Sequence, residues 1–208
     1  MPSALRIKIS LTTGVQSASR VKSVCTLAMP NLPLEFFARD TIEVARDLIG
    51  TFLVVGDCRG RIVETEAYTT DAASHSVTRR RQAVTMRETF GRVYVYFIYG
   101  MYYCLNFTTD RRGPGAVLIR AAQPLRGVQK MIERRGTEDS KKLASGPGRL
   151  CEAFGIDLSL NGSQIGREIR VMARKDAPRI ASSKRVGISK AAELEWRFFE
   201  RDNPFVSR

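Results

Sequence analysis

Residues 61–75 read RIVETEAYTTDAASH. On an extended chain side chains alternate between faces, so Ile62, Glu64, Glu66 and Tyr68 are expected to point together. Carboxylates at successive same-face positions lie within roughly 7 Å and can raise each other's proton affinity. One of them is thereby suited to act as a general base on water. Tyr68 would add an aromatic wall for a flat ligand, and His75, the one histidine of the chain, follows just beyond. The competing reading is an exposed strand face whose acids pair with arginines. A lone histidine is more often structural.

A second group lies in GRVYVYFIYGMYYCLNF, residues 91–107, where five tyrosines fall within ten residues. Each buried tyrosine needs a partner for its hydroxyl, so some are expected at a surface or a pocket. Gly100 permits the positive φ of a tight hairpin, which puts Tyr99 at the tip. An aromatic there is a wedge of the kind that unstacks base pairs. A packed pair of aromatic strands accounts for Tyr94 and Tyr102 without any such role. Asn106 reads either as a turn residue ending an apolar run or as a ligand contact. GPGR, residues 146–149, could offer backbone amides to a phosphate and is also an ordinary helix start.

The elements that carry these residues follow from pattern. DTIEVARDLIG (40–50) predicts a helix, with Asp40 as N-cap, Glu43 three residues on and Gly50 at the stop. TFLVV (51–55) reads as a strand, GDCRGR as a turn and IVETEAY (62–68) as the hairpin partner. VYVYFIY, MYYCLNF, GAVLIRA, REIRVMA and KRVGIS are expected as strands, PLRGVQKMIERRG and GRLCEAFGI as helices. With no repeat and no second core, this order predicts a single mixed α/β domain. Its sheet should be curved and largely antiparallel, with helices around it.

Lysine and arginine number 34 against 21 acids, a formal charge of +13, which predicts attraction to a polyanion, nucleic acid before an acidic membrane. The charge is uneven. Residues 78–92 hold five arginines and one acid, and residues 111–149 ten basic and three acidic residues. Residues 30–77, with the paired glutamates, hold twice as many acids as bases. An acidic site between basic segments suits a hydrolase acting on nucleic acid. Cys25, Cys58, Cys104 and Cys151 show no CxxC spacing, so neither a zinc site nor a disulfide framework is expected. Reduced thiols in a reducing compartment fit. The longest apolar run, near Val93–Phe107, is interrupted by Gly100, and no membrane association is expected. Residues 1–29 carry bases and serines without an acid. They read as a flexible basic arm or targeting segment, or as a mis-assigned start with translation beginning at Met29.

RIVETEAY, the AxSH after it, YVYFIYGMYYCLNF, GAVLIRAAQPLRG, SGPGRLCEAFGI and KRVGIS…WRFF occur in this order in the alkyladenine (3-methyladenine) DNA glycosylases, a family this chain resembles over about residues 30–206. The resemblance implies a monofunctional enzyme of base excision repair, with residues 30–208 as its glycosylase domain. It would flip an alkylated purine out of double-stranded DNA, hydrolyse the N-glycosidic bond and leave an abasic site. Glu66 would be the general base, with Arg120 and the backbone carbonyl of Val186 helping to hold the water. Tyr68 would stack on one side of the base and His75 and Tyr96 on the other. Asn106 would exclude guanine through its exocyclic amino group, and Tyr99 would fill the place of the extruded nucleotide. Glu64 matches the motif's first glutamate and receives no catalytic role. No metal or cofactor is implied, and a monomer is expected. The compartment would be the cytoplasm (nucleoid) in a bacterium, the nucleus or an organelle in a eukaryote. Two departures border the pocket: the span from Tyr68 to His75 is shorter than in mammalian members, and TMRETFGRVY lacks a Pro-Gly loop. The rival classes are a carbohydrate glycosidase, which also uses paired carboxylates, and a non-catalytic DNA-binding protein of the same fold.

Overall fold

A computed structural model describes residues 29–79, 81 and 83–207; the proposed N-terminal arm lies almost wholly outside the described residues. The order is α1 (Leu34–Phe37), α2 (Thr41–Asp47), β1 (Phe52–Val55), β2 (Cys58–Tyr68), α3 (His75–Thr78), α4 (Val84–Glu88), β3 (Val93–Ile98), β4 (Tyr102–Thr109) and β5 (Gly115–Arg126). Then come α5 (Val128–Arg135), α6 (Ser140–Leu143), α7 (Pro147–Phe154), β6 (Ile169–Met172), β7 (Ile180–Ser183) and β8 (Arg197–Glu200). The strands form one curled sheet in the order β3-β4-β5-β2-β1-β6, with β8 also on β2 and β7 on β8. Every pairing is antiparallel, as the alternating strand patterns require.

Helix α2 begins where expected. The Asp40 carboxylate accepts from the amides of Ile42 and Glu43 at 2.9 and 3.1 Å, satisfying two of the donors a helix start leaves free. Its inward face, Val44, Ala45 and Leu48, packs under the sheet with Ile62, Val93, Leu105, Phe107, Val117 and Ile119. Helices α5, α6 and α7 add Met131, Leu143, Leu150 and Phe154 to the same core. Helices α2, α5, α6 and α7 thus cover one face of the sheet, and on the other face Ala83 and Met86 of the α4 segment pack against Tyr94 and Ala116 beside the site.

Three boundaries differ from expectation. The turn before β2 is only Gly56–Asp57, because Cys58–Arg61 pair with β1. Residues 124–126 extend β5, and the helix starts after Gly127, whose φ of 71° ends the strand. KRVGIS is loop rather than strand. Its amide at Val186 donates to a buried carboxylate and its Arg185 side chain is buried, so those groups do not face a neighbouring strand.

Candidate active site

The site is on the sheet face opposite α2, α5, α6 and α7, and strand alternation builds it. Tyr94, Tyr96 and Ile98 of β3, Tyr102, Cys104 and Asn106 of β4, and Ala116, Leu118 and Arg120 of β5 all line one cavity of about 710 Å³. Their neighbours Val95, Leu105, Val117 and Ile119 point into the core instead. Register then aligns the strands: Tyr94 lies opposite Asn106, Asn106 opposite Leu118, and Leu118 opposite Glu66. One row therefore crosses four adjacent strands, roughly 14 Å from a tyrosine to a carboxylate at strand spacing.

Strand β2 reaches this row through an irregularity. The ladder with β5 shifts on both sides of Glu64. Ile62 consequently belongs with Ala67 to the core, and the Thr65 hydroxyl bonds the carbonyl of Ala45 at 2.8 Å. Glu64 and Glu66 take the other face, with Tyr68 lining the cavity. The expectation that Ile62 shares their face is corrected: an extra residue in a strand reverses the alternation beyond it.

Both glutamates are fully buried, which excludes the exposed-face reading. The Glu66 carboxylate accepts from the Tyr68 hydroxyl at 2.8 Å on Oε2 and from the Val186 amide at 2.7 Å on Oε1. Arg120 Nη1 stands 3.4 Å from Oε1. Tyr68, Val186 and Arg120 all line the cavity, so these three polar partners of the carboxylate border it, with Glu66 itself fully buried behind them. Val186 makes its contact through the amide.

Glu64 receives Arg120 Nε at 2.8 Å, Arg197 Nε at 2.7 Å, and both the hydroxyl and the amide of Ser207 at 2.9 and 2.7 Å. Burial works against its charge, but Arg120, Arg197 and Ser207 outweigh burial and hold its carboxyl below the ordinary range. The expected mutual rise in proton affinity is therefore not realised at Glu64, because arginines stand beside the pair. For Arg120, burial is likewise outweighed by Glu66 and Glu64, and the guanidinium is held more firmly charged.

The walls are aromatic. The guanidinium of the buried Arg185 stacks on Tyr68 at 4.7 Å and on Trp196 at 5.2 Å. It also bonds the Ala67 carbonyl and Asp71 at 2.9 and 2.8 Å. Burial first, then the Glu66 charge, pushes the Tyr68 hydroxyl far above its ordinary range, so it stays a donor. Across the cavity His75 meets Tyr96 at 4.4 Å between ring centres. Its Nδ1 lies 3.0 Å from the Tyr94 hydroxyl. Burial, then the charge of Arg79, lowers the His75 pKa to about 4. Burial raises Tyr94 to about 12. Despite the short span after Tyr68, the loop delivers His75 to the wall. Asp71 accepts from the amides of Thr69 and Ala73, and Ser74 caps α3.

Asn106 is inside β4, buried, with Nδ2 donating to the carbonyls of Tyr94 and Cys104 at 3.1 and 3.3 Å. It is not a turn residue. Tyr99 is at the β3–β4 tip, 78 % exposed, with φ of 55° beside Gly100 at 68°. Two successive positive φ values make the hairpin turn whose twist matches its strands. At the cavity rim, a Cβ on Gly148 would come within 2.9 Å of the Tyr102 ring, so GPGR lets α7 approach the hairpin closely. The exposed Arg79, Arg81 and Arg87 flank the side on which Ala73, His75 and Met86 line the cavity, and Arg149 lines its other rim.

Sequence reasoning missed Arg185, Ser207 and the role of Tyr94. Tyr94 was legible from its period-two spacing with Tyr96. Nothing local marks Arg185 or Ser207, since each acts on a residue more than a hundred positions away. Among the described residues, no group of three or more His, Cys, Asp or Glu is placed to hold a metal, and no helix is long and apolar enough to cross a membrane.

A buried carboxylate beside an aromatic cavity, bordered by exposed arginines, defines a hydrolytic type of site on a protein built for a polyanion. A family model described as methylpurine-DNA glycosylase (MPG) matches residues 35–204. A Rhizobium johnstonii protein is 46 % identical over 179 residues, covering 84 % of this chain and 88 % of its own. A Methanoculleus marisnigri protein is 44 % identical over 190 residues, covering 85 % and 98 %. A Clostridium novyi protein is 40 % identical over 200 residues, covering 86 % and 100 %. All three bear the name "Putative 3-methyladenine DNA glycosylase". The chain belongs to the methylpurine-DNA glycosylase family. It is a DNA N-glycosylase of DNA repair whose substrate is DNA.

Proposed function

We propose that this enzyme flips alkylated purines, 3-methyladenine among them, out of double-stranded DNA and hydrolyses the N-glycosidic bond with a water activated by Glu66. The observation that carries the reading is the Glu66 carboxylate, whose three neighbours all line an aromatic cavity. A carboxylate has about four acceptor positions. Two lie on Oε1, which Val186 bonds and Arg120 approaches; on Oε2, among the described residues, only Tyr68 is bonded, which leaves a position for a water proton. Flipping is required because the bond is inaccessible in the stack, and it costs least for a damaged base. Tyr68 on one side and His75 with Tyr96 on the other supply stacking, Tyr99 fills the gap in the duplex, and Asn106 disfavours guanine. An N3- or N7-alkylated purine already carries positive charge and leaves readily, so one base and one water suffice. Among the described residues, no lysine lines the cavity, which supports simple hydrolysis over a Schiff-base step. The protein would act as a monomer on DNA containing damaged purines.

The test is incubation with methylated duplex DNA. Free methylated base should appear while strands stay intact until alkali is added. Intact methylated base throughout would remove the reading, and strand cleavage without alkali would replace hydrolysis with a lyase. Release of sugar from an oligosaccharide instead would favour the carbohydrate rival.

A further inference from the structure

The proposed chemistry leaves Glu64 unused, yet it is the most heavily engaged carboxylate at the site. It is fully buried and gathers donors from three distant segments: Arg120 of β5, Arg197 of β8 and Ser207 near the C-terminus. These partners also hold one another. Arg120 Nη2 reaches the Ser207 hydroxyl at 3.4 Å, Arg197 Nη2 the Ser207 carbonyl at 3.2 Å, and Arg197 Nη1 the Ser183 hydroxyl at 3.0 Å.

The geometry of Arg120 shows what this accomplishes. A guanidinium beside a single carboxylate prefers two parallel hydrogen bonds near 2.8 Å. Here its Nε is committed to Glu64 at 2.8 Å, while its approach to Glu66 is one-sided and loose, at 3.4 Å. Two carboxylates compete for one arginine, and Glu64, which also holds Arg197 and Ser207, takes the closer contact. A Glu66 clamped by paired arginine donors would have its remaining lone pairs occupied and its affinity for a proton lowered. It would be a poor base.

We infer that Glu64 is a positioning residue that holds Arg120 off Glu66, keeping a lone pair of the Glu66 carboxylate free to accept from water, with Ser207 closing the C-terminal segment onto the same anchor. This rests on Glu66 acting as the base. The experiment compares full-length wild type with Glu64→Gln in two independent ways. In a crystal structure of the variant, Arg120 should turn from residue 64 and make paired contacts to Glu66. In single-turnover base release from methylated duplex DNA at saturating enzyme, the rate should fall roughly ten- to a hundredfold, the scale of a misplaced catalytic group. Binding to the same DNA should change by less than about twofold.

In the Glu66→Gln background, Glu64→Gln should lower the residual rate no further, since its effect runs through Glu66. Glu200→Gln, which weakens a half-buried pair with Arg61 elsewhere on the sheet, is the control for stability alone; it should lower the melting temperature and spare the rate. If Glu64→Gln does not fold, Glu64→Asp serves, its shorter reach loosening the hold on Arg120 with a smaller loss in rate. An Arg120 that stays in place overturns the inference, and so does a turned Arg120 with an unchanged rate or an equal loss in the Glu66→Gln background. Wild type that releases no base would defeat the glycosylase mechanism separately, while the position of Arg120 would still decide the inference.

Discussion

Glu66→Gln separates the base from its surroundings, because glutamine preserves nearly all the contacts of this carboxylate. The amide oxygen can still accept from Val186 and face Arg120, where Glu66 Oε1 does now at 2.7 and 3.4 Å. The amide nitrogen can donate to the Tyr68 hydroxyl, which rotates to accept. Arg120 loses one anion but keeps Glu64 at 2.8 Å, so its charge is not orphaned. The stability cost should therefore approach the ~1 kcal/mol of an ordinary hydrogen bond rather than the 3–5 kcal/mol, in order of magnitude, of a buried charge left alone. Catalysis is another matter, since an amide cannot take the water's proton. Loss of a general base costs at least about a hundredfold, or ~2.7 kcal/mol of barrier. The assay is single-turnover release of methylated base, run beside binding of the same duplex and a thermal melt. Retained binding, a melt within a few degrees and a hundredfold slower release are expected. Full activity would remove Glu66 from the mechanism, and parallel loss of folding and binding would make it a structural residue.

The remaining expectations are independent of one another. Binding to undamaged duplex should weaken steeply with salt: even three phosphate contacts, from Arg79, Arg81 and Arg87, imply about a fortyfold loss between 50 and 200 mM, and a flat dependence would mean the exposed arginines do not touch DNA. Asn106→Ser should admit guanine, read as abasic sites at G·T mispairs, with discrimination falling about ten- to a hundredfold and release of alkylated adenine retained; unchanged discrimination would confine Asn106 to bracing β3 and β4. The imidazole resonances of the single histidine should titrate near 4 rather than at the ordinary value of 6.5. Because the folded state depresses this pKa, the stability His75 contributes is present above pH 6.5 and lost as pH falls through about 4; a midpoint near 6.5 would show a solvated ring outside the wall.

Much of this molecule was legible along the chain. Period-two alternation is a local property, so the strands around Tyr94–Asn106 and Gly115–Arg120 could be read directly, as could the Asp40 cap and the Tyr99-Gly100 tip. The residue types of the site, an acid beside an aromatic and an asparagine ending a tyrosine-rich run, were visible for the same reason. What no local pattern carried was register and long-range pairing. The irregularity around Glu64 reverses which face Ile62 occupies, and it exists only because β2 and β5 each leave one residue, Val63 and Arg120, out of the ladder. Alignment of Tyr94, Asn106, Leu118 and Glu66 into a single row depends on three separate strand pairings. Arg185 behind Tyr68, and Arg197 and Ser207 on Glu64, come from segments far along the chain in which no local pattern marks a partner for Tyr68 or Glu64. They acquire a role only because an ionised carboxylate buried by the fold must find donors wherever the tertiary structure brings them.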